Sequence, residues 1–172
     1  MTITEIVALP DGRLAGYHVA GQGIPALMFP GFTAASMREH SALFPSVLRS
    51  YLIDLPGPAR QLAVRQAGFY ELARSSLGLG RVIVFGHSAG SAAALAYAAT
   101  YPQHTAACVL VSPGAAAGPL PRRISCRTLV IGGEFAPIGG EIPGAEFVAL
   151  AATESPDGYR QVVLDFLRGS RC

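Results

Sequence analysis

The sequence predicts an α/β protein whose mostly parallel sheet is opened by an antiparallel hairpin. Six short apolar runs are continuous rather than alternating: Ala26 to Phe29, Tyr51 to Leu55, Val82 to Phe85, Ala107 to Val111, Thr128 to Ile131 and Phe147 to Leu150. Such runs suit strands buried on both faces of a parallel sheet. Stretches with helical character separate several of them, and strand followed by helix, repeated, defines the α/β class. The N-terminal segment differs, because apolar and polar residues alternate there on either side of a turn signal.

Taken in order, Ile3, Glu5 and Val7 alternate, and Leu14 to Val19 follows Pro10-Asp11-Gly12, a turn of the Asp-Gly type that joins hairpin strands. Gly21-Gln22-Gly23 then ends the hairpin and starts the parallel rhythm. Helices are expected at Ser36 to Ser50, Phe69 to Leu79, Ser91 to Tyr101 and Asp157 to Arg168; in the last, Tyr159, Val162, Val163, Phe166 and Leu167 recur at helical spacing. Two connections lack a helix. Between Val111 and Arg127, Pro113, Pro119 and Pro121 with Gly114 and Gly118 deny a helix of useful length, and Gly133 to Pro143 reads the same way. These links can cross to the next parallel strand without covering the sheet, so a bare apolar face is expected over the late strands. Such a face implies a homodimer or a protein partner docked there.

The whole chain, 1–172, reads as one domain, without repeats, low-complexity tracts or linkers. It is 51% hydrophobic and 14% charged, which excludes disorder. Its formal net charge is +2, and all thirteen basic residues are Arg, scattered apart from Arg122 and Arg123, so no basic stripe exists to follow a nucleic acid. Cys108, Cys126 and Cys172 form no even disulfide framework, and the first two lie in apolar runs unsuited to a reactive thiolate. Met1 to Pro10 carries Glu5 and no basic stretch, and no apolar run approaches the roughly 18 residues of a membrane span. A soluble cytoplasmic protein is the expectation. No His, Cys, Asp or Glu cluster has metal-ligand spacing, and Gly78-Leu79-Gly80 precedes a strand rather than opening a helix, so neither metal nor nucleotide is implied and no cofactor is expected.

Chemistry concentrates in Val82-Ile83-Val84-Phe85-Gly86-His87-Ser88-Ala89-Gly90-Ser91. A buried-type strand meets a helix of small residues through a sharp turn centred on Ser88, the form of a nucleophile elbow. The positions two before and two after the serine must be tiny for that turn to close, and they are Gly86 and Gly90.

From these residues the chain resembles the α/β-hydrolase superfamily. Leu27-Met28-Phe29-Pro30-Gly31-Phe32 resembles the family's strand ending in His-Gly, and Asp54-Leu55-Pro56-Gly57-Pro58-Ala59-Arg60 resembles its turn after the next strand. The run from Cys126 to Glu134, the Ile142 to Glu146 stretch and the closing helix extend the likeness to the late part of the chain. The resemblance implies that Ser88 is the nucleophile and that the N–H groups of Ala89 and Phe32 form an oxyanion hole. It also implies a small ester or thioester as substrate. The usual cap insertion, between Ser112 and Cys126, is missing.

The catalytic machinery departs from the family pattern. Gly133-Glu134-Phe135-Ala136-Pro137 places alanine where the family has its acid, and no histidine follows His104. A serine hydroxyl is a weak nucleophile until a base takes its proton. His40, in the first helix, and Glu134, at a strand end, are the candidate substitutes. His87 is expected to face into packing; His18 and His104 are expected to be solvated, and Asp54 to form a turn. Glu154, near the lost histidine's loop, is a further carboxylate. Phe32, Met37 and the 114–123 loop would shape a pocket. The reading is an esterase- or thioesterase-like acyl-transfer protein. Its alternatives are a non-hydrolytic lyase or cyclase on the same fold and an inactive binding domain.

Overall fold

The computed structural model of the chain describes residues 3–31, 34–56, 62–114, 120–133, 141–149 and 155–169. Eight strands form one sheet: β1 (Ile3–Ala8), β2 (Leu14–Gly21), β3 (Ile24–Phe29), β4 (Leu48–Ile53), β5 (Val82–His87), β6 (Thr105–Val111), β7 (Arg127–Gly132) and β8 (Glu146–Ala149). Their spatial order is β1-β2-β4-β3-β5-β6-β7-β8. The expected hairpin opens it. Leu9 donates to the Arg13 carbonyl at 2.8 Å, Asp11 accepts from the Arg13 N–H at 3.1 Å, and Gly12 takes the positive φ of 84° that the turn requires.

β2 runs on to pair antiparallel with β4, from Tyr17 opposite Ile53 to Gly21 opposite Arg49. The chain then turns back through Gly21 and Gly23, both at positive φ. A Cβ on either would stand 2.3 Å from a carbonyl oxygen of Leu48 or Val47, so only glycine lets β3 slot beside β4. From there the sheet is parallel: β3 pairs with β4 and β5, and β6, β7 and β8 follow outward.

Among the described residues four helices of two turns or more cover the sheet: α1 (Ala34–Ala42), α2 (Ala63–Ser76), α3 (Gly90–Thr100) and α4 (Pro156–Gly169). Each parallel strand sends alternate residues to opposite sides. Leu27, Phe29, Val84, Leu110 and Val130 join α2 and α3 in one apolar layer. Met28, Ile83, Phe85, Val109 and Ile131 join α1 and α4 in the other. Because both layers are apolar, the strands read as unbroken hydrophobic runs. α3 is buried almost all round, and its alanines let it lie close to β5 and β6.

Three expectations are corrected. The first helix stops at Ala42, not Ser50, because Pro45 supplies no N–H and disfavours helix in the residue before it; the chain turns there and β4 begins at Leu48. α2 starts at Ala63, one and a half turns before Phe69. The late strands are not bare. α4 covers one side of β6 and β7 through Val163, Phe166 and Leu167, while Leu120, Ile124 and Ile142 from the short connections join the layer on the other. Leu120 and Ile124 flank the single 3-10 turn Pro121–Arg123, and the expectation that these connections hold no helix falls partly on residues 115–119 and 134–140, outside the described residues. What stays uncovered is the short edge strand β8, where Phe147 is 45% exposed. The β6–β7 connection, Ser112 to Cys126, is too short for a cap domain. Among the described residues no helix is long and apolar enough to cross a membrane.

Tyr70 of α2 ties a helix to the sheet centre. Its ring stacks on Phe29 at 4.0 Å between centroids, and its fully buried hydroxyl donates to the Met28 carbonyl at 2.7 Å. Tyr70→Phe removes that bond while keeping the ring, so urea unfolding should show a loss of about 1 to 2 kcal/mol with an unchanged denaturant slope.

Candidate active site

β5, central in the sheet, ends at His87, and Ser88 follows with φ of 51°, in the left-handed region. That conformation costs a side-chain-bearing residue about 1 to 2 kcal/mol, so the surroundings must hold it. The Ser88 N–H donates to the Val111 carbonyl of β6 at 2.8 Å, and its carbonyl accepts from the Ser91 N–H at 3.0 Å. Three glycines make the approach possible. A Cβ on Gly86 would lie 2.7 Å from the Ser91 Cα, and one on Gly90 would lie 2.2 Å and 2.5 Å from the carbonyl oxygens of Phe29 and Pro30. One on Gly31 would lie 2.9 Å from the His87 carbonyl and 3.1 Å from the Ser88 Cβ. The end of β3, the elbow and the start of α3 are therefore in backbone contact.

Ala89 has helical torsions and caps α3. Its N–H belongs to the group that a helix start leaves without intrahelical partners. Phe32, the other expected donor, lies outside the described residues, as do Glu134, Ala136 and Glu154. Ser112, one strand over, is the second non-glycine residue at positive φ, 47°, with its N–H donating to the Ile131 carbonyl at 2.7 Å. Sequence reasoning assigned it no part in the site.

His40 is not on the surface. Its ring packs 4.8 Å from that of His87, 5.3 Å from that of Tyr159 and 6.0 Å from that of Phe85, between α1, β5 and α4. Burial, reinforced by the neighbouring His87, lowers its pKa from 6.5 to about 4, and burial also lowers that of His87. Both rings are neutral at pH 7. Burial pushes the Tyr159 phenol well up, so it stays protonated. The Nδ1 atoms of both histidines and the Tyr159 hydroxyl are buried without a hydrogen-bond partner among the described residues. His87 faces packing as expected, but its pairing with His40 and the part of Tyr159 were missed. The parity of Ile83, Phe85 and His87 along β5, all on the α1 and α4 side, was the available signal.

The remaining polar residues are engaged elsewhere. His18 lies with its Nε2 3.2 Å from Arg38 and 3.6 Å from the Asp54 carboxylate. His104, expected to be solvated, sits with its Nδ1 2.9 Å from Glu71, which also accepts from Tyr97 at 2.6 Å and from Arg74 at 2.9 Å. Cys108 and Cys126 are free thiols whose pKa burial raises. Met37 is fully buried in the core rather than lining a pocket. Among the described residues no three His, Cys, Asp or Glu side chains gather as a metal site.

The sequence profile of the α/β hydrolase fold matches residues 27–125, and the chain belongs to that family. No curated protein matches the sequence. Solved structures that resemble the fold include the carboxylesterase CesB of Bacillus subtilis, with a TM-score of 0.77 at 16% identity over 98% of this chain and 92% of that one. The naproxen esterase of the same organism gives 0.80 at 11% identity over 97% and 92%. A hydrolase from Pseudomonas aeruginosa gives 0.78 at 18% identity over 95% and 98%.

Gly90→Ala forces a methyl group into two backbone carbonyls that cannot retreat separately, and it should cost about 3 kcal/mol or more, read as a fall in thermal midpoint. The histidines set a pH window. The unfolded chain binds protons below about pH 6.5 that folded His40 refuses until about pH 4, so stability present above 6.5 is lost as pH falls through that window. Thermal midpoints measured between pH 7 and 4.5 should therefore decline in the wild type and decline less in His40→Gln. Glu71, whose pKa is lowered from 4.5, contributes its loss only below that range.

Proposed function

We propose that the protein is a serine hydrolase of the esterase or thioesterase type, acting on a small ester or thioester. The observation that carries this reading is Ser88, held at positive φ at the end of the central strand β5 by backbone contacts that Gly31, Gly86 and Gly90 permit. Strained residues persist where structure over-determines them, and they concentrate at reactive sites. Family membership and the esterases among the structural neighbours add support.

In the proposed reaction the Ser88 Oγ attacks the carbonyl carbon, and the N–H groups of Ala89 and Phe32 receive the oxyanion that develops. The serine proton passes to a base, for which His40 and Glu134 are the candidates, and then to the departing alcohol or thiol. Water repeats the sequence on the acyl-enzyme and frees the acid. This chemistry draws on no cofactor. The alanine at 136 and the absence of histidine beyond 104 remove the family's own base, so turnover is expected to be slow: an oxyanion hole and binding alone leave about 10³- to 10⁴-fold over water.

The test is labelling of the purified chain by a fluorophosphonate probe, counted by intact mass. One adduct per chain, abolished in Ser88→Ala, is the expected result. A folded wild type that takes no label overturns the reading in favour of a non-hydrolytic lyase or cyclase, or of a binding domain.

A further inference from the structure

We propose that His40 and His87 act as one proton-accepting pair for Ser88, replacing the histidine and acid that the chain lacks. This rests on the reading of Ser88 as nucleophile. It goes beyond His40 alone, because His87 directly precedes Ser88 and its ring meets that of His40. A Cβ built on Gly31 would lie 3.1 Å from the Ser88 Cβ and 3.6 Å from the His87 Nδ1, so the serine side chain and that nitrogen border the same space beside Gly31. The His40 ring stands behind, 4.8 Å from that of His87.

The cost of the arrangement points the same way. The α1 and α4 layer is otherwise built from Met28, Met37, Phe44, Phe85 and similar side chains. Into it the chain inserts two imidazoles and a phenol whose Nδ1 and hydroxyl atoms find no partner. Each unsatisfied buried polar group costs stability, and apolar side chains of similar size would avoid that loss. An acceptor nitrogen free in the resting state is what a base requires. Among the described residues the rings that meet the pair are Tyr159 of α4 and Phe85 of β5, and no carboxylate lies against either imidazole; on α1 itself Arg38 and Glu39 are exposed, and Arg38 turns to His18. Asp54 and Glu71 are taken up by His18 and by Arg74 with Tyr97.

In acylation the Oγ–H bond of Ser88 breaks as the Oγ–acyl bond forms. The proton goes to one ring of the pair, which then carries a single positive charge beside its neutral neighbour. As the tetrahedral intermediate collapses, the proton leaves with the alcohol or thiol and the rings are neutral again. Deacylation uses the same pair to take a proton from water. Two neutral rings with lowered pKa values stay unprotonated well below pH 7, which sets the base apart from one held up by a carboxylate.

The experiment measures the second-order rate of fluorophosphonate labelling for the full chain, for His40→Gln and His87→Gln, and for the double variant. Thermal midpoints establish that each is folded. Each single variant should label on the order of 10²-fold more slowly, and the double no more slowly than the worse single, because groups that act as a unit are not additive. Added imidazole should restore part of the rate to His87→Gly, which a merely structural role would not produce. The wild-type rate should hold to a lower pH than the 6.5 of an ordinary imidazole, because both rings have lowered pKa values. Labelling of both single variants at the wild-type rate, with Ser88→Ala still silent, places the base elsewhere and overturns this proposal while the serine reading stands. A wild-type rate already halved at or above pH 6.5 overturns it as well, even if no variant folds. A folded wild type that takes no label overturns the serine reading and the pair with it.

Discussion

One constraint organises the molecule: Ser88 must sit at positive φ between β5 and α3, and the backbone of three elements must touch to hold it there. Gly90 lies against the carbonyls of Phe29 and Pro30, Gly86 against Ser91, and Gly31 against His87 and Ser88. Each contact is closer than any side chain allows. The parallel pairing of β3 with β5 follows from the same contacts, since the end of β3 has to reach the elbow with its last residues in register beside Gly86. The turn at Gly21 and Gly23 belongs to this chain of requirements, because it is what brings β3 in beside β4 with the right direction.

The chemistry and the packing meet on one side of the sheet. Odd-numbered residues of β5 face α1 and α4, so His87 continues the row of Ile83 and Phe85 up to the elbow. Placing an imidazole at the end of that row puts a titratable group where an apolar side chain would pack without cost. The matching His40, one helix away, makes the polar inclusion a pair rather than an accident of one residue. Burial, with His87 adding to it at His40, then keeps both rings neutral.

Most of the fold was legible because its determinants are local. Unbroken apolar runs marked the strands, Asp11-Gly12 marked the hairpin turn, and Gly86 and Gly90 around Ser88 marked the elbow. What escaped depended on contacts between distant parts of the chain. The missing cap was legible from the short span between Ser112 and Cys126, yet the glycines and prolines of the late connections said nothing of where Leu120, Ile124 and Ile142 would land, and those three close the face that was expected to be bare. The end of the first helix was misplaced because the helical pattern of its residues outweighed Pro45 in the reading. In the site, Ser88 was visible from its neighbours in sequence, whereas the meeting of residues 40, 87 and 159 required the positions of α1 and α4 on the sheet.

A histidine next to a carboxylate and a histidine buried among aromatic rings are opposite solutions to the same need. The carboxylate raises the pKa and favours the proton's arrival, while burial lowers it and favours the empty base. The proposed pair of His40 and His87 would be the second solution. The second gains orientation from rigid neighbours: α1, β5 and α4 each contribute one ring of the cluster, so none depends on a loop for its place. It gives up driving force for proton transfer, because a ring with a pKa near 4 holds a proton less firmly than one near 7.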